Sequence, residues 1–336
     1  MRPSSHVVAL TLALSIATGA AAYADDLGKV DGDPDPASTV GIGDQGRLPF
    51  ALRTGEIVYT SNKGALWLLD PASGHRRQLT HPAHGVDFDP RFSGDGTRIV
   101  FRSERGVKPG DPFHVGYNAL FTLNRDGTHL RQVNPPGGGL FPAWSPTDDL
   151  IAFSGPSADP RVDHILVMTS DGSGTARDLG VRGECARWSP DGTRIAYCSH
   201  NGDGNWAVWT VGADGSDPHQ LTHPVLRPPA GANGDYPVAW SPNGRRIVIS
   251  SARDGLRAMY LLDADGGNAH RLLHSTKGVD SPSVWLRGGW IVFAHYASER
   301  ARPRWYAVRP DGSHRVRLSS LDGAGDPIDW SAASYE

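Results

Sequence analysis

One unit, repeated six times, limits what this chain can fold into more than any other feature. An aromatic residue leads into a Ser-Pro-Asp-Gly-like turn and a short apolar strand. It appears as Phe92 in RFSGDGTRIVFRS, Trp144 in AWSPTDDLIAFSG and Trp188 in RWSPDGTRIAYCS. It continues as Trp240 in AWSPNGRRIVISS, Trp285 in VWLRGGWIVFAH and Trp330 in DWSAAS. The intervals are 52, 44, 52, 45 and 45 residues. A second ladder keeps step with it: Asp126-Gly127, Asp171-Gly172, Asp214-Gly215, Asp265-Gly266 and Asp311-Gly312, with a degenerate DPASG from Asp70. A third ladder, Leu79, Val133, Leu179, Leu221, Leu272 and Leu318, closes a further short strand. Self-similarity at a fixed period marks a stacked or radial repeat architecture.

Each unit reads as four strands. Strand A carries the aromatic residue, and the turn after it opens strand B. Strand C ends at the Asp-Gly turn, and strand D follows. Pro presets φ and Gly accepts positive φ, which suits the A–B turn. Asp-Gly between apolar strands is a hairpin signal. Four short antiparallel strands every 44 to 52 residues make a propeller blade. Gly and Pro, 41 and 26 of 336 residues, supply the turns. The predicted fold is all-β, a six-bladed β-propeller. The first B, C and D strands begin near Glu56, before any strand A, and a last strand A runs from Asp326 to Ser331. Blade one is therefore closed by the C-terminal strand, and deleting the last ten residues should cost far more than deleting residues 25 to 45.

Outside the repeat, the chain starts with Arg2, an apolar run from Val7 to Ala17 and Ala22-Tyr23-Ala24. This reads as a signal peptide over residues 1–24. The run is too short for a membrane span of about 20 residues. Residues 25–50 carry six acids and two bases without apolar periodicity and read as an acidic linker; the propeller is expected over 51–336. The net charge of −3 excludes a globally basic nucleic-acid binder. The chain is expected to be exported, periplasmic or secreted, monomeric and without stable membrane insertion.

The x-W-S-P-D-G-x-x-I-A-F pattern resembles the WD40-like repeats of the TolB-like six-bladed propeller family, over about residues 51–336. The resemblance implies the propeller fold and a place in the cell envelope. It also extends to propeller domains of serine peptidases and to oligogalacturonate lyases. TolB proper carries a separate domain before its propeller, and none is expected here. No G-x-S-x-G elbow and no Walker A loop occurs, so neither a serine hydrolase nor a nucleotide-binding loop is expected.

The loops entering strand A gather acids: Asp87, Asp89, Glu184, Asp235, Asp280 and Asp326; the loop before the Trp144 strand offers Gly137-Gly138-Gly139 instead. A ring of carboxylates at the channel mouth would bind a cation, with calcium as the candidate, or a basic segment of a protein or peptide partner. The competing reading is that these acids cap local turns. The 14 histidines are scattered. His81 and His84 share a loop, and His200, His223, His270, His274 and His295 lie in separate strands or loops. The reading is a non-enzymatic binding or scaffold protein. The alternative is a metal-dependent carbohydrate enzyme of the oligogalacturonate-lyase type, which convergence of three histidines would favour. Trp206, Trp209, Trp290 and Trp305 read as blade packing, with sugar stacking as the alternative. Cys185 and Cys198 flank the Asp191-Gly192 turn at equal distance, so a two-residue turn would set them opposite each other and an exported setting would oxidise them to a disulfide.

Overall fold

The computed structural model describes residues 48–331, apart from residues 84, 106–118, 135–137, 158–161, 201–204, 225–233, 255–256, 276–277 and 299–300. The signal segment, the acidic stretch up to residue 47, His84 and Gly137 lie outside the described residues.

Six antiparallel sheets of four strands make the blades. Their inner strands are Asp87–Phe92, Leu140–Trp144, Glu184–Trp188, Asp235–Trp240 and Val279–Leu286 for blades two to six, and Ile328–Trp330 for blade one. Each inner strand touches the next, and Ile328–Trp330 returns to Asp87–Phe92, so the ring is closed. The all-β propeller and its closure by the C-terminal strand are as the repeat predicts.

The packing explains why the ladders hold these residues. The indole of Trp188 donates from Nε1 to the Ala143 carbonyl at 3.1 Å, and that of Trp240 to the Arg187 carbonyl at 3.1 Å. Each tryptophan thus fills the gap to the preceding blade and satisfies its one polar atom on that blade's inner strand. The Asp-Gly glycines do the same at the rim. Gly172 and Gly266 sit at φ 67° and 90°, and a Cβ on either would lie 2.4 Å from the carbonyl oxygen of Val133 or Leu221 in the preceding blade. The second and third ladders therefore touch each other across blades, and only glycine permits the approach.

Blade one is tied at both ends. Ile57, Val58 and Tyr59 pair with Trp330, Asp329 and Ile328. Ser331 donates its N–H to the Glu56 carbonyl at 2.8 Å, and the Trp330 indole donates to the Thr54 carbonyl at 2.8 Å. Leu52, Leu321, Ile328 and Trp330 join one apolar cluster with blade six, and Leu48, in the stretch read as linker, packs against it.

Candidate functional site

The inner strands begin at one end of the channel, and the acids singled out from the sequence stand at or near those beginnings. A bulge precedes the aromatic residue in blades two to six. In blades two, three and four the extra residue is Asp89, Phe141 or Cys185, at φ 49°, 49° and 62°. A bulge bends the strand and re-aims its side chains.

This bulge corrects the expected cysteine register. Trp188 pairs with Ile195 and Arg187 with Ala196, as a two-residue turn requires, but the ladder then slips by one and Cys198 faces Glu184 rather than Cys185. Both cysteines are buried free thiols. Cys198 donates to the Glu184 carbonyl at 3.3 Å, and burial, then its contact with Cys185, pushes its thiol well above the usual range.

Four of the six acids already have cationic or imidazole partners. Asp87, with no exposed surface, meets Arg105 at 2.5 Å and the Ser103 hydroxyl at 2.6 Å. Asp235, equally buried, meets Arg253 at 2.6 Å, and Arg253 also donates to Ser251 at 3.0 Å. The two are one device: Ser103 and Ser251 are the cross-strand partners of the two aspartates, with the arginine two residues on. Asp89 lies 2.6 Å from Arg102. Asp280 accepts from Ser275 at 2.7 Å and lies 2.8 Å from His295 Nδ1; burial alone would raise its carboxyl, but these bonds hold it below the usual range. These four acids are therefore paired within the fold.

Glu184 and Asp326 differ. Both are half-buried. Burial raises Asp326, against hydrogen bonds that include Ser283 at 2.7 Å. Glu184 is pushed up to about 7 by burial, with the charge of Asp163 adding to it. The folded state therefore holds a proton that the unfolded chain has released above the ordinary carboxylate range. Stability from this group is full at low pH and is lost as pH rises from about 4.5 to about 7. The ceiling is about 3 kcal/mol from the size of the shift. We expect Glu184→Gln to remove this slope and to be more stable than the parent at pH 8, read as urea midpoints across that range. Parallel pH profiles for variant and parent would contradict the assignment.

Other expected features disperse. Among the described residues no three His, Cys, Asp or Glu side chains converge as a metal site. His164 pairs with Asp178 at 2.9 Å, and the His200 ring lies tilted against Trp206, with ring centres 4.0 Å apart. Trp305 and Trp290 are buried, the latter under the Arg309 guanidinium. A cleft of about 650 Å³ lined by Arg246, His270, Arg309 and His314 opens among the turns, at the end away from the strand beginnings. The residues that the loop-by-loop reading passed over are Arg91, Arg187 and Asp329, each directly before the ladder aromatic. The signal lay in the same repeat, as the dipeptides Arg-Phe, Arg-Trp and Asp-Trp.

Sequence likeness agrees with the ring. No family model matches the chain. It is 29% identical over 235 residues to the Tol-Pal system protein TolB of Gluconobacter oxydans, covering 55% of this chain and 48% of that protein. It is 27% identical over 181 residues to an uncharacterized protein of Agrobacterium fabrum, covering 53% of this chain and 57% of the relative. The crystal structure of TolB from Acinetobacter baumannii superposes at TM-score 0.65 with 18% identity, over 84% of this chain and 67% of that one. The chain is similar in sequence to TolB proteins and shares the six-bladed β-propeller fold of their solved structures. It matches about half the length of the first two relatives named here. The manganese complex of an oligogalacturonate lyase shares the fold at TM-score 0.51 and 14% identity, over 79% of this chain and 73% of that one.

Proposed function

We propose that this chain is an exported, non-enzymatic binding protein of the cell envelope, whose propeller receives a protein or peptide at the channel mouth. Residues 1–24 would serve as the export signal and residues 25–50 as a spacer. The observation that carries the reading is the partly exposed polar lining at the beginnings of the inner strands, Glu184, Ser281 and Asp326. Likeness to a Tol-Pal system protein supports the envelope setting. Calcium takes six to eight oxygen ligands. Of the six acids singled out from the sequence, only Glu184 and Asp326 lack an arginine or histidine within salt-bridge distance among the described residues, so peptide recognition is the better-supported use.

A photoreactive side chain tests this. Placed at Ser281, at the mouth, it should crosslink in envelope extracts to a defined protein band. Placed at Arg177, on the exposed outer strand of blade three, it should not. Equal crosslinking from both positions would sink the reading.

A further inference from the structure

The residues directly before the ladder aromatics form one layer around the channel: Asp329, Arg91, Ala143, Arg187, Ala239 and Val284, from blade one to blade six. The aromatics reach the preceding blade, so by strand alternation this layer lies on the opposite face of each inner strand, where Arg187 donates to the Val238 carbonyl of the next blade. Arg187, Ala239, Val284 and Asp329 keep partial exposure although they lie on innermost strands, next to the channel.

This layer holds two guanidiniums and one carboxylate. Arg91 is about nine-tenths buried; its Nη1 donates to the Ile328 carbonyl at 3.3 Å and lies 3.9 Å from Asp329. Its Nε is buried without an acceptor. Arg187 is fixed by two carbonyls, Val238 at 2.9 Å and Ala186 at 2.7 Å, and has no carboxylate in salt-bridge range among the described residues. Burial, and then the like charge of Arg91, lowers it to about 10, so it remains cationic. The nearby acids, Asp89, Asp329 and Asp326, each have other partners as well, Asp326 accepting from Ser283 at 2.7 Å. Asp89 lies on Arg102, and Asp329 accepts the Phe92 N–H at 2.8 Å. The layer positions on both sides of Arg187 are small residues, Ala143 and Ala239. Two held forks with free N–H groups and a surplus positive charge suit a planar oxyanion.

We propose that this layer binds a carboxylate between Arg187 and Arg91, presented by an acidic side chain of a peptide entering the channel. The second clause rests on the proposed function; the first does not. It also reverses the first expectation of a basic segment, because the waist below the acidic mouth is cationic.

The test titrates the full chain with acetate at constant ionic strength, following the melting midpoint, with an Asp-Gly repeat peptide and a Lys-Gly repeat peptide as further arms. Acetate should raise the midpoint saturably. Arg187→Gln should weaken it by about tenfold or more. Val284→Glu keeps both arginines and sets a tethered carboxylate two blades from each, so it should also displace acetate. That variant keeps the test decisive if Arg187→Gln folds poorly. The acidic peptide should bind and the basic one should not. Acetate binding without acidic-peptide binding would keep the carboxylate site and overturn the peptide source. No saturable acetate response, or an unchanged response in both variants, would overturn the site.

Discussion

A chain lacking residues 327–336 should fail to form a stable ring, whereas a chain lacking residues 25–45 should melt as the full chain does. The first deletion removes Ile328, fully buried, and Trp330, 6% exposed, from the cluster that joins blade one to blade six. Losing a buried Ile side chain costs about 2–5 kcal/mol and a Trp about 3–5 kcal/mol. Their sum rivals the whole folding free energy of about 5–15 kcal/mol of a typical domain. The deletion also strips the pairing from Ile57–Tyr59, leaves the Thr54 and Glu56 carbonyls without their donors, and frees Arg91 of Asp329. The second deletion removes a segment whose sequence has no apolar periodicity to bury. Trp330→Ala alone should cost about 3–5 kcal/mol, read from urea unfolding followed by near-ultraviolet circular dichroism. A 327–336 deletion that melts with the parent would show that blade one closes without its inner strand.

The ring was legible because propeller blades repeat their contacts. Trp188 and Trp240 each reach the equivalent carbonyl of the preceding blade, that of the residue before its own ladder aromatic, so one packing requirement is written into the sequence at one repeat position. The site was less legible, for two physical reasons. A bulge adds one residue without leaving a mark that spacing arithmetic can detect, and so Cys198 faces Glu184 instead of Cys185. Pairing across strands is invisible to a loop-by-loop reading. Asp87 and Asp235 looked like free carboxylates because Arg105 and Arg253 are 18 residues away in sequence. Arg91, Arg187 and Asp329 were missed for a different cause. They sit inside the fold's own repeat, where the eye follows the aromatic, and an inner strand has one face toward the channel regardless of its loops.

Arg253→Met should destabilise the fold by about 3–5 kcal/mol. Asp235 has no exposed surface, so without Arg253 its carboxylate cannot reach water. Breaking a buried pair by removing one partner costs about 3–5 kcal/mol, chiefly because the survivor stays buried and charged. Asp235→Ala should cost less, because Arg253 keeps 24% of its side chain exposed and can turn toward solvent. The double variant Asp235→Asn with Arg253→Met should recover part of the loss, since an amide tolerates the site without a counter-charge. The measurement is a double-mutant cycle from urea unfolding. A coupling of about 1–3 kcal/mol would make this aspartate a strand fastener and leave ligand recognition to the mouth residues without partners. If the single variants fold as stably as the parent but lose a partner's crosslink, the pair belongs to the binding surface instead. The same logic extends to Asp87 and Arg105, where the repeat has built the device a second time.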